Sequence, residues 1–154
     1  MDEYWVRRGT PGRVEAAAAR RGGRTPPDSN ADDTYYEDIK KSFERVIKEY
    51  SKKFPRFSVQ HTTDFRINRY SVGGFMSRHV DNIHHSHGQQ YGYPQVSVLL
   101  YLNDDYHGGE FYVSGEMFEP ERGSGIIFPS NFMFPHEAKV VTKGTRWSIV
   151  TWLM

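Results

Sequence analysis

The residues most able to do chemistry lie in RHVDNIHHSHG, residues 78 to 88, which gathers four of the chain's seven histidines beside Asp81. If this segment is extended, side chains two apart share a face, so His79 and Asp81 aim together while Val80 points away to pack. An imidazole nitrogen and a carboxylate oxygen are then offered side by side. H-x-D alone arises often by chance, and a third ligand is needed to make it a site. His136 supplies one: it sits in FPHEAKVV, at the entry to a strand and after an apolar run that should be buried. Two histidines and one carboxylate leave coordination positions open, the arrangement that suits non-haem Fe(II). His84, His85 and His87 follow Asp81 in IHHSHGQQYGYP. That segment reads as a loop over the mouth of the site, with substrate contact or a second metal site as its alternatives.

A cation accompanies these ligands. Arg146 stands ten positions after His136, and strand alternation suggests that the two lie on adjacent antiparallel strands joined by a turn near Lys143 and Gly144. A guanidinium buried there is costly unless an anion meets it, and a dicarboxylate would meet it with bidentate geometry. The competing reading places Arg146 at the surface, paired with an acid such as Glu137.

Elements must hold these groups in place, and the chain of 154 residues is long enough for one domain with a real core. It has no cysteine, which excludes disulfides, thiolate metal sites and a cysteine nucleophile. Its net charge of +1 argues against a nucleic-acid partner. No apolar run approaches a membrane span, and MDEYWVRR lacks the apolar core of a secretory signal, so a cytoplasmic protein without membrane contact is expected. Residues 1–32 are rich in Ala, Arg, Gly and Pro after Val14 and read as a flexible N-terminal segment. The domain proper is expected over 33–154. Tyr36, Ile39, Phe43, Val46, Ile47 and Tyr50 recur at helical spacing, with Asp32 or Asp33 to cap the start and Pro55 to stop the helix. Beyond it, FSVQHTTDFRINRYSV, QVSVLLYL, EFYV, GIIFP, EAKVV and TRWSIVTWL read as strands between turn residues. The expected fold is mainly β, a sandwich or barrel buttressed by the 36–53 helix.

Motifs in three successive segments resemble one family. RYSVGGFMSRHVDN, SVLLYLNDDYHGGEFYV and the closing GSGIIFPSNFMFPHEAKVVTKGTRWSIVTWL are similar to segments of the Fe(II)/2-oxoglutarate-dependent dioxygenases of the prolyl-4-hydroxylase-like, PKHD type, over roughly residues 35 to 154. The resemblance implies a double-stranded β-helix, or cupin-like jelly roll. It implies that His79, Asp81 and His136 bind Fe(II), and that Arg146 and Tyr101 hold the distal carboxylate of 2-oxoglutarate. Tyr70 would line the cosubstrate or substrate side of the pocket, and Trp152 would lie near the iron. The implied chemistry is hydroxylation of an unactivated C–H bond with O2, giving succinate and CO2, with ascorbate as an auxiliary reductant. Halogenating relatives carry a small residue where Asp81 stands, so hydroxylation is the expected outcome.

The family's commonest substrate makes prolyl 4-hydroxylation of a peptide or protein the first expectation. A free amino acid or another residue is the next, and a non-catalytic cupin-like module binding a metal or ligand is a reading of a different class. Arg146 with Tyr101 separates them, because a keto-acid site needs a buried cation and a generic binding sandwich does not. Asn68, in NRY, fits either a cosubstrate-binding asparagine or a strand edge. Two features depart from the family: the first thirty residues, and a compact hairpin between Glu110 and Phe128.

Overall fold

Inward and outward side chains alternate along the strands after Pro55, and that alternation decides what lines the interior. A computed structural model of the protein describes residues 2–6, 29–59, 61–82 and 93–154, with the backbone alone for 2–6 and 29–34. In chain order the elements are β1 (Asp2–Val6), α1 (Ser29–Lys53), β2 (Phe65–Tyr70), β3 (Met76–His79), β4 (Val96–Tyr101) and β5 (His107–Gly108). Then follow β6 (Phe111–Val113), β7 (Glu116–Phe118), β8 (Gly125–Pro129), β9 (His136–Ala138), β10 (Val141–Lys143) and β11 (Arg146–Leu153). The major sheet has the order β1-β2-β11-β4-β8, the facing sheet β3-β9-β6-β7, and β10 pairs with β5. Every pairing is antiparallel. The expected mainly-β jelly roll is borne out.

The two faces of the major sheet build two cores. On the outer face Phe65, Val96, Val98, Leu100, Ile149 and Leu153 pack with Phe43 of α1, and Ile39, Val46 and Ile47 join them. Phe43 is 2% exposed and stacks on Phe65 with ring centroids 5.0 Å apart. Burial of such a side chain contributes about 1.5–3 kcal/mol, and the ring pair roughly 0.5–1.5 kcal/mol more. On the inner face Tyr70, Leu99, Phe128, Val150 and Trp152 meet Phe111, Val113 and Ala138 of the facing sheet. The helix thus buttresses the sheet from outside, and its residues take no part in the site.

Two expectations need revision, the start of the helix and the strands that carry His136 and Arg146. The helix begins at Ser29 rather than at Asp32 or Asp33. The sequence from Ser29 to Thr34 carries no apolar stripe for periodicity to register. Within 1–32, Asp2–Val6 forms a strand along β2, and the helix accounts for residues from Ser29 on. The remainder of that expected flexible segment lies outside the described residues. Finally, His136 and Arg146 are not on adjacent strands. β9 pairs with β3 and β6, β11 with β2 and β4, and β10 intervenes, so the two residues enter the interior from opposite sheets.

Candidate metal centre

β3 delivers His79 and the chain just beyond it delivers Asp81. β9 lies beside β3 with His136 directly opposite His79. One ligand atom from each of His79, Asp81 and His136 falls within 4.8 Å of the others. The His79 and His136 rings have centroids 4.2 Å apart. Asp81 Oδ1 lies 3.3 Å from His79 Nε2 and 3.4 Å from His136 Nε2.

Backbone carbonyls orient both imidazoles. His79 Nδ1 is 2.8 Å from the Ser77 oxygen, and His136 Nδ1 is 3.3 Å from that of Phe134. A carbonyl only accepts, so each Nδ1 carries a hydrogen and each Nε2 faces Asp81 Oδ1, to which it donates while protonated and beside which it offers a lone pair once that proton leaves. With those protons gone three acceptor atoms converge, and a cation satisfies all three at once. The donor set, two imidazole nitrogens and one carboxylate oxygen, fits Fe(II). Phe128 and Phe111 pack against the His136 ring at 4.8 and 5.8 Å.

Asp81 is 8% exposed. Burial works to raise its pKa, but hydrogen bonding to His136 and His79, the charge of His136 and the Ser97 hydroxyl outweigh that and hold the carboxyl well below its ordinary range. Burial works to lower the His79 pKa, yet Asp81 and the Ser77 carbonyl prevail and raise it. The outer oxygen of Asp81 is engaged separately: Trp152 Nε1 donates to Oδ2 at 2.8 Å and Ser97 Oγ at 2.5 Å.

Arg146 is the largest fully buried side chain among the described residues, 1% exposed, on the inner face of β11. Its guanidinium carbon sits 4.8 Å from the Tyr70 ring centroid, 5.2 Å from that of Tyr101 and 5.9 Å from that of Phe111. No carboxylate among the described residues pairs with it, and Nε and Nη2 have no hydrogen-bond partner. The surface reading, with Glu137 as partner, is therefore overturned, and Glu137 pairs instead with Lys139 at 2.9 Å. Buried Tyr101 and Ser148 also have unpartnered hydroxyls, and the side-chain amide oxygen of Asn68 is unpartnered too. Burial raises the pKa of both Tyr101 and Tyr70 against the opposing charge of Arg146, so both hydroxyls keep their protons. A pocket holding a desolvated cation beside idle hydroxyls is short of one anion.

Asn68 lies in the middle of β2, between β1 and β11, rather than at a strand edge. Arg66, two residues earlier on the same inward face, stands over the Trp152 indole at 5.9 Å. His84, His85 and His87 lie outside the described residues. Sequence reasoning missed Ser97 and Ser130, both fully buried. The available signal was a lone serine at an inward position of VSVLLY, because a polar group inside an apolar strand must find a partner.

The family model described as the 2OG-Fe(II) oxygenase superfamily matches residues 65–154. A PKHD-type hydroxylase, tll1907 of Thermosynechococcus vestitus, is 36% identical over 93 residues, covering 56% of this chain and 41% of that protein. Human prolyl 3-hydroxylase 2 is 40% identical over 70 residues, 40% of this chain and 10% of that protein. The chain therefore spans less than half of either curated relative. Among solved structures, the viral collagen prolyl hydroxylase of Paramecium Bursaria Chlorella virus-1 superposes with a TM-score of 0.61 at 16% identity, over 72% of this chain and 69% of that one. That likeness is one of fold.

Proposed function

Because the chain belongs to the 2OG-Fe(II) oxygenase superfamily, we propose that it hydroxylates an unactivated C–H bond of a prolyl residue in a peptide or protein, with 2-oxoglutarate and O2 as cosubstrates. The observation that carries this reading is a three-ligand cluster of His79, Asp81 and His136 in the same sandwich as the buried Arg146, with which no carboxylate among the described residues pairs. His79 Nε2, His136 Nε2 and Asp81 Oδ1 hold the Fe(II). Bound Fe(II), with the keto acid and O2, supplies the oxidising power for C–H hydroxylation and yields succinate and CO2.

The chain's own residues bind and orient. Arg146 and the Tyr101 hydroxyl take the distal carboxylate of the keto acid, which fixes the direction in which its other end reaches the ligand cluster. Tyr70 closes one wall with its ring against Arg146, and Trp152 steadies Asp81. Aromatic rings around the cation keep water from competing with the dicarboxylate.

The expected position of hydroxylation is carbon 4. The similarity to a protein named a prolyl 3-hydroxylase favours carbon 3 as the second reading. A binding module without catalysis has no use for a buried cation at this place.

The test is succinate formation from 2-oxoglutarate by anaerobically reconstituted protein once oxygen is admitted, with and without Fe(II). Proline-containing peptides run alongside, and the product is read as the gain of one oxygen atom and as the isomer of hydroxyproline. Iron-dependent succinate that disappears in His79→Ala, with one peptide oxidised, supports the reading. No succinate in any mixture, together with no 2-oxoglutarate binding to the Fe(II)-loaded protein, rejects it.

A further inference from the structure

Oδ2 of Asp81 faces away from the two histidines and receives two hydrogen bonds from the major sheet, from Ser97 Oγ and Trp152 Nε1. These donors are cross-strand partners, Ser97 on β4 opposite Trp152 on β11, so one register position presents both to one oxygen. A second serine stands behind the first, with Ser130 Oγ 2.7 Å from Ser97 Oγ. The direction of this chain follows from the chemistry. An ionised carboxylate only accepts, so Ser97 spends its one hydrogen on Asp81, and its oxygen then accepts the hydrogen of Ser130. Ser130 also ties down the backbone beside the carboxylate: the Asn82 amide donates to its carbonyl at 3.2 Å, and its own amide donates to the Gln95 carbonyl at 2.8 Å. Ser97 and Ser130 are both fully buried, so no water substitutes for either.

We propose that Ser97 and Ser130 are positioning residues that, together with Trp152, hold Asp81 as a one-oxygen ligand. The inference rests on the metal-binding reading above. Rotating the carboxylate to offer both oxygens to a metal would break two charge-assisted hydrogen bonds in a buried site, where their loss has no compensation. With Oδ2 so held, only Oδ1 faces the histidines, and the coordination positions that a chelating keto acid and O2 need stay open. The Ser130–Ser97 link also fixes the ligand on the facing sheet's side to the rigid strands of the major sheet, so the site is set before any metal arrives.

Cobalt(II) is the probe, since it binds without turnover and its visible spectrum reports its coordination. Ser97→Ala and Ser97→Cys should each weaken cobalt(II) binding by about 10–100-fold, the usual effect of losing a group that orients a ligand. Ser97→Thr, which keeps the hydroxyl, should restore both affinity and the wild-type spectrum. Ser130→Ala should give a smaller loss of the same sign, and combining Ser97→Ala with Trp152→Phe should alter the cobalt(II) spectrum itself. Cysteine preserves the shape of serine while donating poorly, so a loss shared by Ala and Cys but absent in Thr separates hydrogen bonding from packing. Thermal unfolding of the metal-free variants identifies any that fail to fold, and Ser130→Ala and Ser97→Cys remain as milder tests. Wild-type affinity and an unchanged spectrum in both Ser97→Ala and Ser97→Cys would overturn the proposal. Wild-type protein that binds no cobalt(II) would overturn the metal-binding reading first, and this inference with it.

Discussion

Arg146 carries a positive charge into the interior with rings on three sides, and no acid among the described residues pairs with it. Removing such a charge often leaves stability unchanged or raises it, by about 1–4 kcal/mol when an apolar residue of similar volume takes its place. Arg146→Met is therefore expected to unfold at the same temperature as wild type or higher, while 2-oxoglutarate affinity falls on the order of 30-fold or more through the lost charge-assisted contacts. Thermal melts with and without the keto acid check both halves: the keto acid should stabilise wild type and leave the variant unmoved. Tyr101→Phe should weaken the keto acid more mildly, by about tenfold for one lost hydrogen bond, as read by the same titration. At this scale the cluster of His79, Asp81 and His136 was legible less from H-x-D, which arises often by chance, than from the motifs around it that resemble the family. Ser97 was not legible as a partner of Asp81. A serine hydroxyl has many uses, and this one depends on the register that sets it across from Trp152.

The turn from β5 into β6 shows how an element makes room for that arginine. Gly108 and Gly109 both have positive φ, 71° and 68°, which a residue with a side chain adopts at a cost. A Cβ on Gly108 would strike the Val140 carbonyl, and one on Gly109 would come to 3.1 Å from Arg146 Cδ and 3.0 Å from Val141 Cγ2. Gly109→Ala is expected to cost about 1–3 kcal/mol through backbone strain and to weaken 2-oxoglutarate binding by displacing the Arg146 stem, with denaturant melts and keto-acid titration as the two readings. The helix supplies the opposite case. Phe43→Ala removes the ring stacked on Phe65 and should cost about 3–5 kcal/mol, yet the folded protein should bind metal as wild type does, because α1 packs on the outer face of the major sheet. The helix and most strands were legible from periodicity, since each buries one face against a single core. The start of the helix was not, because the sequence from Ser29 to Thr34 has no apolar stripe at helical spacing. The partition of His136 and Arg146 between two sheets was hidden too: strand order is a tertiary matter, and β10 between them pairs elsewhere.

Across the whole molecule the site joins the two sheets: two imidazoles come from β3 and β9, and the carboxylate is hydrogen-bonded to β4 and β11 of the major sheet. A metal bound there stabilises the sandwich as a unit, by about 2.7 kcal/mol at a free concentration of 100 times its dissociation constant. Removing it with a chelator should lower the unfolding temperature, and His136→Ala should abolish the difference. Among the described residues no helix is long and apolar enough to cross a membrane. The fold class and the order of the motifs were legible in the sequence because hydrophobic alternation and turn residues leave few alternatives for a cysteine-free β domain. The identity of the substrate is not written there, since it depends on surfaces around the mouth rather than on the ligand cluster. The claim that joins both sheets is that one centre holds Fe(II) and 2-oxoglutarate together, and anaerobic titration of the Fe(II)-loaded protein with 2-oxoglutarate tests it most directly. We expect a visible charge-transfer absorption to grow to saturation in wild type, to be absent in His79→Ala, and to need far more keto acid in Arg146→Met. Fe(II) bound with no such absorption at any keto-acid concentration, or an absorption indifferent to Arg146→Met, would contradict it.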